Sequence, residues 1–275
     1  MNTLRAMFSN KSDKVLLVWF LLLTGSIISL NLFHWSYNGY GLIFVFFQAG
    51  LPCIGTMIGF YRMKQWGGYK SIVGKSLFFI SVGLLFWSLG TFIWVYYNMF
   101  LYVEVPYPSW MDLAYFQVPI FLGIGIIMLA NLTSIQTQVR KTKEKIYFFL
   151  IPILMAIVTY YFIFMQLHGG AIALSDGAIK IFLDLYYPGG DIAILTILII
   201  FSGLEFNYIG ERLKLPVTLV IIGLVVNYVA DFCFSYSTSV GTYYNGNFVD
   251  LLFGIAMFTL SLSVSNLHPK LLVDK

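Results

Sequence analysis

An all-α integral membrane protein, a bundle of about eight transmembrane helices joined by short loops, is the fold class that this sequence predicts. Three observations predict it. The 275 residues are 59% apolar and 10% charged, with a mean hydropathy of +0.84, a composition suited to lipid rather than water. The apolar residues fall into runs of the roughly 20 residues that a helix needs to cross a hydrocarbon core of about 30 Å. The basic residues collect in alternate intervals between those runs.

Taken in order, the first span, 14–33, is too long and too uniformly apolar for a signal-peptide core, and no clear small-residue cleavage site follows it, so it is expected to persist. The second, 41–60, runs into Arg62 and Lys64, and the third, 76–101, starts just after Lys70 and Lys75. The fourth, 112–132, carries Pro119 and is followed by the basic cluster Arg140 to Lys145, which leads into the fifth, 146–167. The sixth, 184–203, contains Pro188-Gly189-Gly190, read as a turn from which Asp191 opens an apolar helix. Arg212 and Lys214 introduce the seventh, 214–234, and Asn245-Gly246-Asn247 precede the eighth, 248–266. Residues 1–275 thus form a single membrane domain, with no soluble domain expected. Cys53 and Cys233 fall in the second and seventh spans at opposite depths, so they are expected to be small buried side chains rather than a disulfide.

Threading these spans sorts the charges. Of 16 Lys and Arg, Arg5, Lys11, Lys14, Arg62, Lys64, Lys70, Lys75, Arg140, Lys141, Lys143, Lys145, Arg212, Lys214, Lys270 and Lys275 fall on one side, and only Lys180 on the other. Cationic loops resist translocation, so the expected location is the cell membrane, multi-pass, with both termini in the cytoplasm. An even number of spans is implied, since a missed span would mix the two sides. The net charge of +4 is then explained by loops beside anionic headgroups, and no nucleic-acid partner is called for. The sequons Asn10-Lys11-Ser12 and Asn131-Leu132-Thr133 face the cytoplasm and are expected to stay unmodified.

The acidic residues distribute the other way. Pro108-Ser-Trp-Met-Asp112, Pro188-Gly-Gly-Asp191 and Asn245-Gly-Asn-Phe-Val-Asp250 each set a turn-forming run before an Asp at the outer end of a span, a weak repeat of helix pairs. A carboxylate there ordinarily caps a helix and favours the positive end of its dipole. Three at one bundle mouth also have the makings of a single acidic site. Asp231 differs, lying within the seventh span, where an ionised group needs a partner or water. Asn227, Asp231 and Ser235 recur every four residues and share one helical face. Ser81, Ser88, Thr91 and Asn98 form a second polar stripe, for which interhelical hydrogen bonding is a sufficient role. Aromatic residues crowd the outer boundary, as an interfacial belt would require; beside carboxylates they also suit a cationic ligand.

Much chemistry is set aside. No Lys lies deep in a span to form a retinal Schiff base, and His34, His168 and His268 are not placed for haem ligation across the bilayer. A phosphate loop, a HExxH zinc motif and a GxSxG elbow are missing from the sequence. The reading leans away from an enzyme, expects no cofactor and assigns no metal.

The runs Pro106-Tyr-Pro-Ser-Trp-Met-Asp112-Leu-Ala-Tyr115, Tyr186-Tyr-Pro-Gly-Gly-Asp191 and Ala230-Asp231, followed by Tyr243 and Asp250, resemble the polytopic membrane input domains found N-terminal to prokaryotic diguanylate cyclases and sensor histidine kinases. The resemblance spans roughly residues 76–266 and implies a sensory or signal-transmitting role in a prokaryote. Only Leu267 to Lys275 follow the last span, so output is expected from a separate cytoplasmic or membrane partner. The leading expectation is a membrane sensor whose ligand-binding residues are Asp112, Tyr115, Asp191, Asn227, Asp231 and Asp250, taking an unidentified small ligand or cation and signalling through the basic loops. The alternatives are a transporter or channel for a small solute, cation or proton using Asp231, and a structural subunit of a membrane complex.

Overall fold

The computed structural model describes residues 10–33, 43–103, 105–106, 108–133, 150, 153–161, 178–205 and 211–269. Among them all regular structure is helical. Six helices are long and apolar enough to cross a membrane, Lys11–Phe33, Ile43–Gln65, Ile72–Leu101, Trp110–Leu129, Lys214–Thr238 and Phe248–Asn266, as a multi-pass membrane protein requires. The expected fifth span lies outside the described residues apart from 150 and 153–161.

The chain runs as α1 (Lys11–Phe33), α2 (Ile43–Gln65), α3 (Ile72–Val95), α4 (Trp110–Tyr115), α5 (Gln117–Thr133), α6 (Ala178–Glu205), α7 (Glu211–Ser239) and α8 (Phe248–Asn266). A 3-10 turn at Gly68–Lys70 joins α2 to α3, and α3 passes into a π-helical turn at Tyr96–Leu101. The helices close a ring in which α2 packs on α3, α3 on α5, α5 on α6, α6 on α7, α7 on α8 and α8 back on α2. α1 lies outside this ring against α2 and α8.

Two sequence expectations change here. The fourth span, Trp110–Leu129, is broken once, between α4, which ends at Tyr115, and α5, which begins at Gln117; Pro119 has no N–H to donate to the Tyr115 carbonyl four residues back, and its ring crowds that carbonyl. The turn expected at Pro188 is not one: α6 continues through Pro188 and places Asp191 inside the helix rather than at its start. Neighbouring helices make this tolerable, because Pro188 is buried and Gly190 lets Pro119 of α5 approach to 3.1 Å of where a Cβ would stand.

Lipid gives apolar side chains no reason to prefer a neighbouring helix, so close approach and hydrogen bonds hold such bundles together. Both are present. Gly55 lies against Ser261 and Gly59 against Ser81. The Ser88 hydroxyl donates to the Ala49 carbonyl at 2.8 Å, Ser76 to Gly125 at 2.7 Å and Ser263 to Pro216 at 2.8 Å. Of the expected stripe in α3, Ser88 therefore bonds between helices, whereas Ser81 and Asn98 return to their own helix. Cys53 and Cys233 are free and half-buried.

One end of the bundle is tied by charge. Asp13 is fully buried and accepts from the Ser265 hydroxyl at 2.6 Å, while Arg62 donates to the Ser265 carbonyl at 3.1 Å. Trp66 Nε1 donates to the Leu267 carbonyl at 3.1 Å. These contacts join the start of α1 and the ends of α2 and α8, so the ends bearing Lys11, Lys14, Arg62 and Lys64 lie together. The acidic turns before α4 and α8 sit at the opposite end.

Candidate functional site

At that opposite end, local sequence fixes each carboxylate before tertiary packing brings them together. Ser109 caps α4 by accepting from the Met111 amide at 3.2 Å, and Asp112 completes a capping box by accepting the Ser109 amide at 2.7 Å. The other oxygen of Asp112 accepts the Tyr187 hydroxyl at 3.0 Å, which ties α4 to α6. Its neighbour Tyr186 stacks on Phe116 with centroids 4.4 Å apart and donates to the Phe116 carbonyl at 2.8 Å.

Asp250 is held similarly. Asn247 caps α8, accepting the Val249 amide at 2.8 Å. The Asp250 carboxylate reaches back to accept the Gly246 amide at 2.6 Å and the Tyr243 hydroxyl at 3.0 Å. Tyr243 lies in the turn before α8, where burial and then the adjacent Asp250 carboxylate push its hydroxyl well above its ordinary range, so it stays a donor across ordinary pH.

Asp191 and Asp231 form the other half of the site, and neither caps a helix. Asp191 follows Tyr187 by four residues on α6, so both project from one face, Tyr187 to Asp112 and Asp191 towards α7. Asn227 and Asp231 repeat that spacing on α7. The Asn227 amide nitrogen donates to Asp191 Oδ1 and Oδ2 at 3.2 and 3.3 Å and to Asp231 Oδ2 at 2.9 Å. The two carboxyl groups are also within hydrogen-bonding reach of each other. No basic side chain among the described residues forms an ion pair with either. Ser235, next in the expected stripe, is half-buried and takes no part in this cluster.

Tyr115 anchors α4 to α3 beside these carboxylates. Its hydroxyl shares a hydrogen bond with Thr91 at 3.1 Å, and its ring rests on Gly90, where a Cβ would come within 2.5 Å of it. Asp112, Asp231 and Asp250 are all close enough to act electrostatically on that hydroxyl. Below it, Trp87 meets Tyr115 at 5.3 Å and Phe253 at 5.5 Å, and its buried indole N–H has no hydrogen-bond partner among the described residues.

All six residues singled out in the sequence thus gather at one end of the bundle, contributed by α4, α6, α7 and α8. Their duties differ: Asp112 and Asp250 are occupied by backbone amides and tyrosine hydroxyls, whereas Asp191 and Asp231 share only an amide and each other. Thr91, Tyr187 and Tyr243 belong to the same network but were not selected from sequence. The spacing of Tyr187 from Asp191 carried a signal, Tyr243 sits seven residues ahead of Asp250, and Thr91 stood in the polar stripe of the third span without being linked to the carboxylates. No group of three or more His, Cys, Asp or Glu is arranged to hold a metal ion among the described residues.

No family model matches the chain, and no curated protein or solved structure matches it.

Proposed function

We propose that this chain is an integral membrane sensor or ligand-binding module, threaded eight times with both termini in the cytoplasm, that takes a small ligand or cation at its acidic and aromatic mouth. The observation that carries the reading is the meeting of Asp191, Asn227 and Asp231 beside Tyr115 without a basic partner among the described residues. Two carboxyls in such contact need a proton or a cation between them. Of the helices that supply site residues, α6, α7 and α8 belong to the closed ring, and α4 packs on α3 of that ring. A ligand that bridges α6 and α7 therefore has leverage on their relative packing, provided it distinguishes two arrangements. The motif resemblance to membrane input domains favours relay to a separate partner through the basic loops.

A transporter is the second reading, favoured by the position of the Asp191–Asp231 pair inside two long helices that each carry an internal proline, Pro188 and Pro216. Thermal unfolding of the detergent-purified protein against amines, lipids and cations, wild type beside Asp231→Asn, tests the sensor reading. Stabilisation of the wild type alone is the expected result; equal stabilisation of both removes Asp231 from the pocket. Ion or proton flux in proteoliposomes that disappears in Asp231→Asn would favour transport.

A further inference from the structure

We infer that the sector of the basic end built from α1, α2 and α3 is a docking surface for anionic phospholipid headgroups in the leaflet that it meets. The inference goes beyond the acidic mouth at the opposite end and does not depend on it.

Sequence supplies the first observation. Seven basic residues but a single acid, Asp13, fall between Met1 and Val103. In the later basic runs the charges are mixed: Glu144 stands among Arg140 to Lys145, and Glu205 and Glu211 precede Arg212 and Lys214. A bias of basic loops to one side orients a membrane protein without any such segregation.

Packing then hides the acid and leaves the cations out. Asp13 is fully buried and accepts from the Asn10 amide at 3.2 Å, the Ser265 hydroxyl at 2.6 Å and the Asn266 side-chain nitrogen at 3.5 Å. Arg62 is 8% exposed and turns inward to the Ser265 carbonyl, with a second bond to Gln65. These two opposite charges are spent inside the bundle. Lys11, Lys14, Lys64, Lys70 and Lys75 are all exposed, and none forms an ion pair among the described residues. For unpaired lysines at a bilayer boundary, anionic headgroups are the adjacent counter-charge.

Position selects a lipid over an acidic protein. Lys14 and Lys75 are each the fourth residue of a helix, α1 and α3, and Lys64 is the last but one of α2. From such places the stem lies along apolar surface while the ammonium reaches the phosphate level. The exposed side chains among these lysines are Tyr61, Tyr69 and Ile72, a mixture suited to the zone between acyl chains and headgroups. The intervening turn has a fixed shape: Gly67 and Gly68 take φ of 81° and 64°, Tyr69 packs on Phe78 with centroids 5.0 Å apart, and Trp66 is bonded to the Leu267 carbonyl. Headgroups spanning Lys14 and Lys64 join α1 to α2 where Asp13 and Arg62 already meet on Ser265.

The test titrates the purified full chain, in a neutral detergent, with short-chain phosphatidylglycerol, short-chain phosphatidylcholine, glycerol phosphate and polyglutamate. Thermal unfolding and native mass spectrometry read the response at about 0.05 and 0.5 M salt, concentrations between which screening of exposed charges rises steeply. Phosphatidylglycerol should stabilise and remain bound to the wild type, less so at high salt, and phosphatidylcholine should do neither. Lys14→Gln, Lys64→Gln, Lys70→Gln and Lys75→Gln combined should weaken phosphatidylglycerol binding by at least about tenfold. Lys141→Gln, Lys143→Gln and Lys145→Gln combined, in a run that carries its own glutamate, should leave it within about twofold. Equal responses of the wild type to the two lipids overturn the inference without recourse to any variant, and so does equal weakening in the two variants. Binding of glycerol phosphate as tight as that of the lipid, or of polyglutamate without phosphatidylglycerol, also overturns it, the partner then being a soluble phosphate or an acidic protein.

Discussion

Gly246 sets the geometry of Asp250. Its φ of 84° is a conformation that side-chain-bearing residues rarely adopt, and Leu30 occupies the place a Cβ would take. Gly246→Ala should therefore lower stability by about 1–3 kcal/mol, seen as a reduced melting temperature, and should loosen the contact with α1, since the Gly246 carbonyl accepts from Asn31 at 2.7 Å. A melting temperature equal to that of wild type would show that the turn has another way to form. Tyr115→Phe is a milder change. It deletes the hydroxyl shared with Thr91, which still bonds the Trp87 carbonyl at 3.1 Å, so a loss of about 1 kcal/mol with the fold intact is expected from thermal unfolding. At this scale the sequence identified the polar residues of the site, but not their occupancy. Asp112, Asp191 and Asp250 all follow runs bearing Gly or Pro in the sequence, yet only Asp191 has no backbone donor among the described residues, and nothing local distinguishes it.

Among the elements, α4 depends on its cap more than on its length. Six residues nucleate poorly by themselves, and Ser109 with Asp112 satisfies the first amides. Ser109→Ala should cost about 1 kcal/mol; hydrogen exchange should locate the loss at α4, and uniform protection there would contradict the capping role. Longer helices were more legible, because apolar runs of bilayer length leave few alternatives. Where sequence reasoning misjudged a break within a span, Pro was involved. Pro119 separates α4 from α5, whereas Pro188 was read as a turn and is instead carried inside α6. A local signal cannot tell these cases apart, since the outcome depends on whether neighbouring helices cover the backbone groups that Pro frees.

For the whole molecule, the proposed threading predicts which loops meet which solvent. In a variant freed of Cys53 and Cys233, a cysteine replacing Thr242 should react with a membrane-impermeant thiol reagent on intact cells, and one replacing Lys70 should react only after lysis. The reverse pattern would invert the proposed topology. The same geometry separates two ends of one bundle, Asp13 and Arg62 closing the basic end and the carboxylates gathering at the other. Sequence by itself determined the class, an all-helical membrane protein, because a long apolar run in lipid must satisfy its own backbone and a helix does so within the run. It also determined the four-residue pairing of Asn227 with Asp231, which follows from helical pitch. Tertiary structure alone decided that α6 brings Asp191 to Asn227, that Tyr187 and Tyr243 occupy Asp112 and Asp250, and that Asp13 lies beside Ser265. These contacts join residues from 7 to 252 positions apart, and the choice among partners at such separations is made by how the helices pack, which no local pattern encodes.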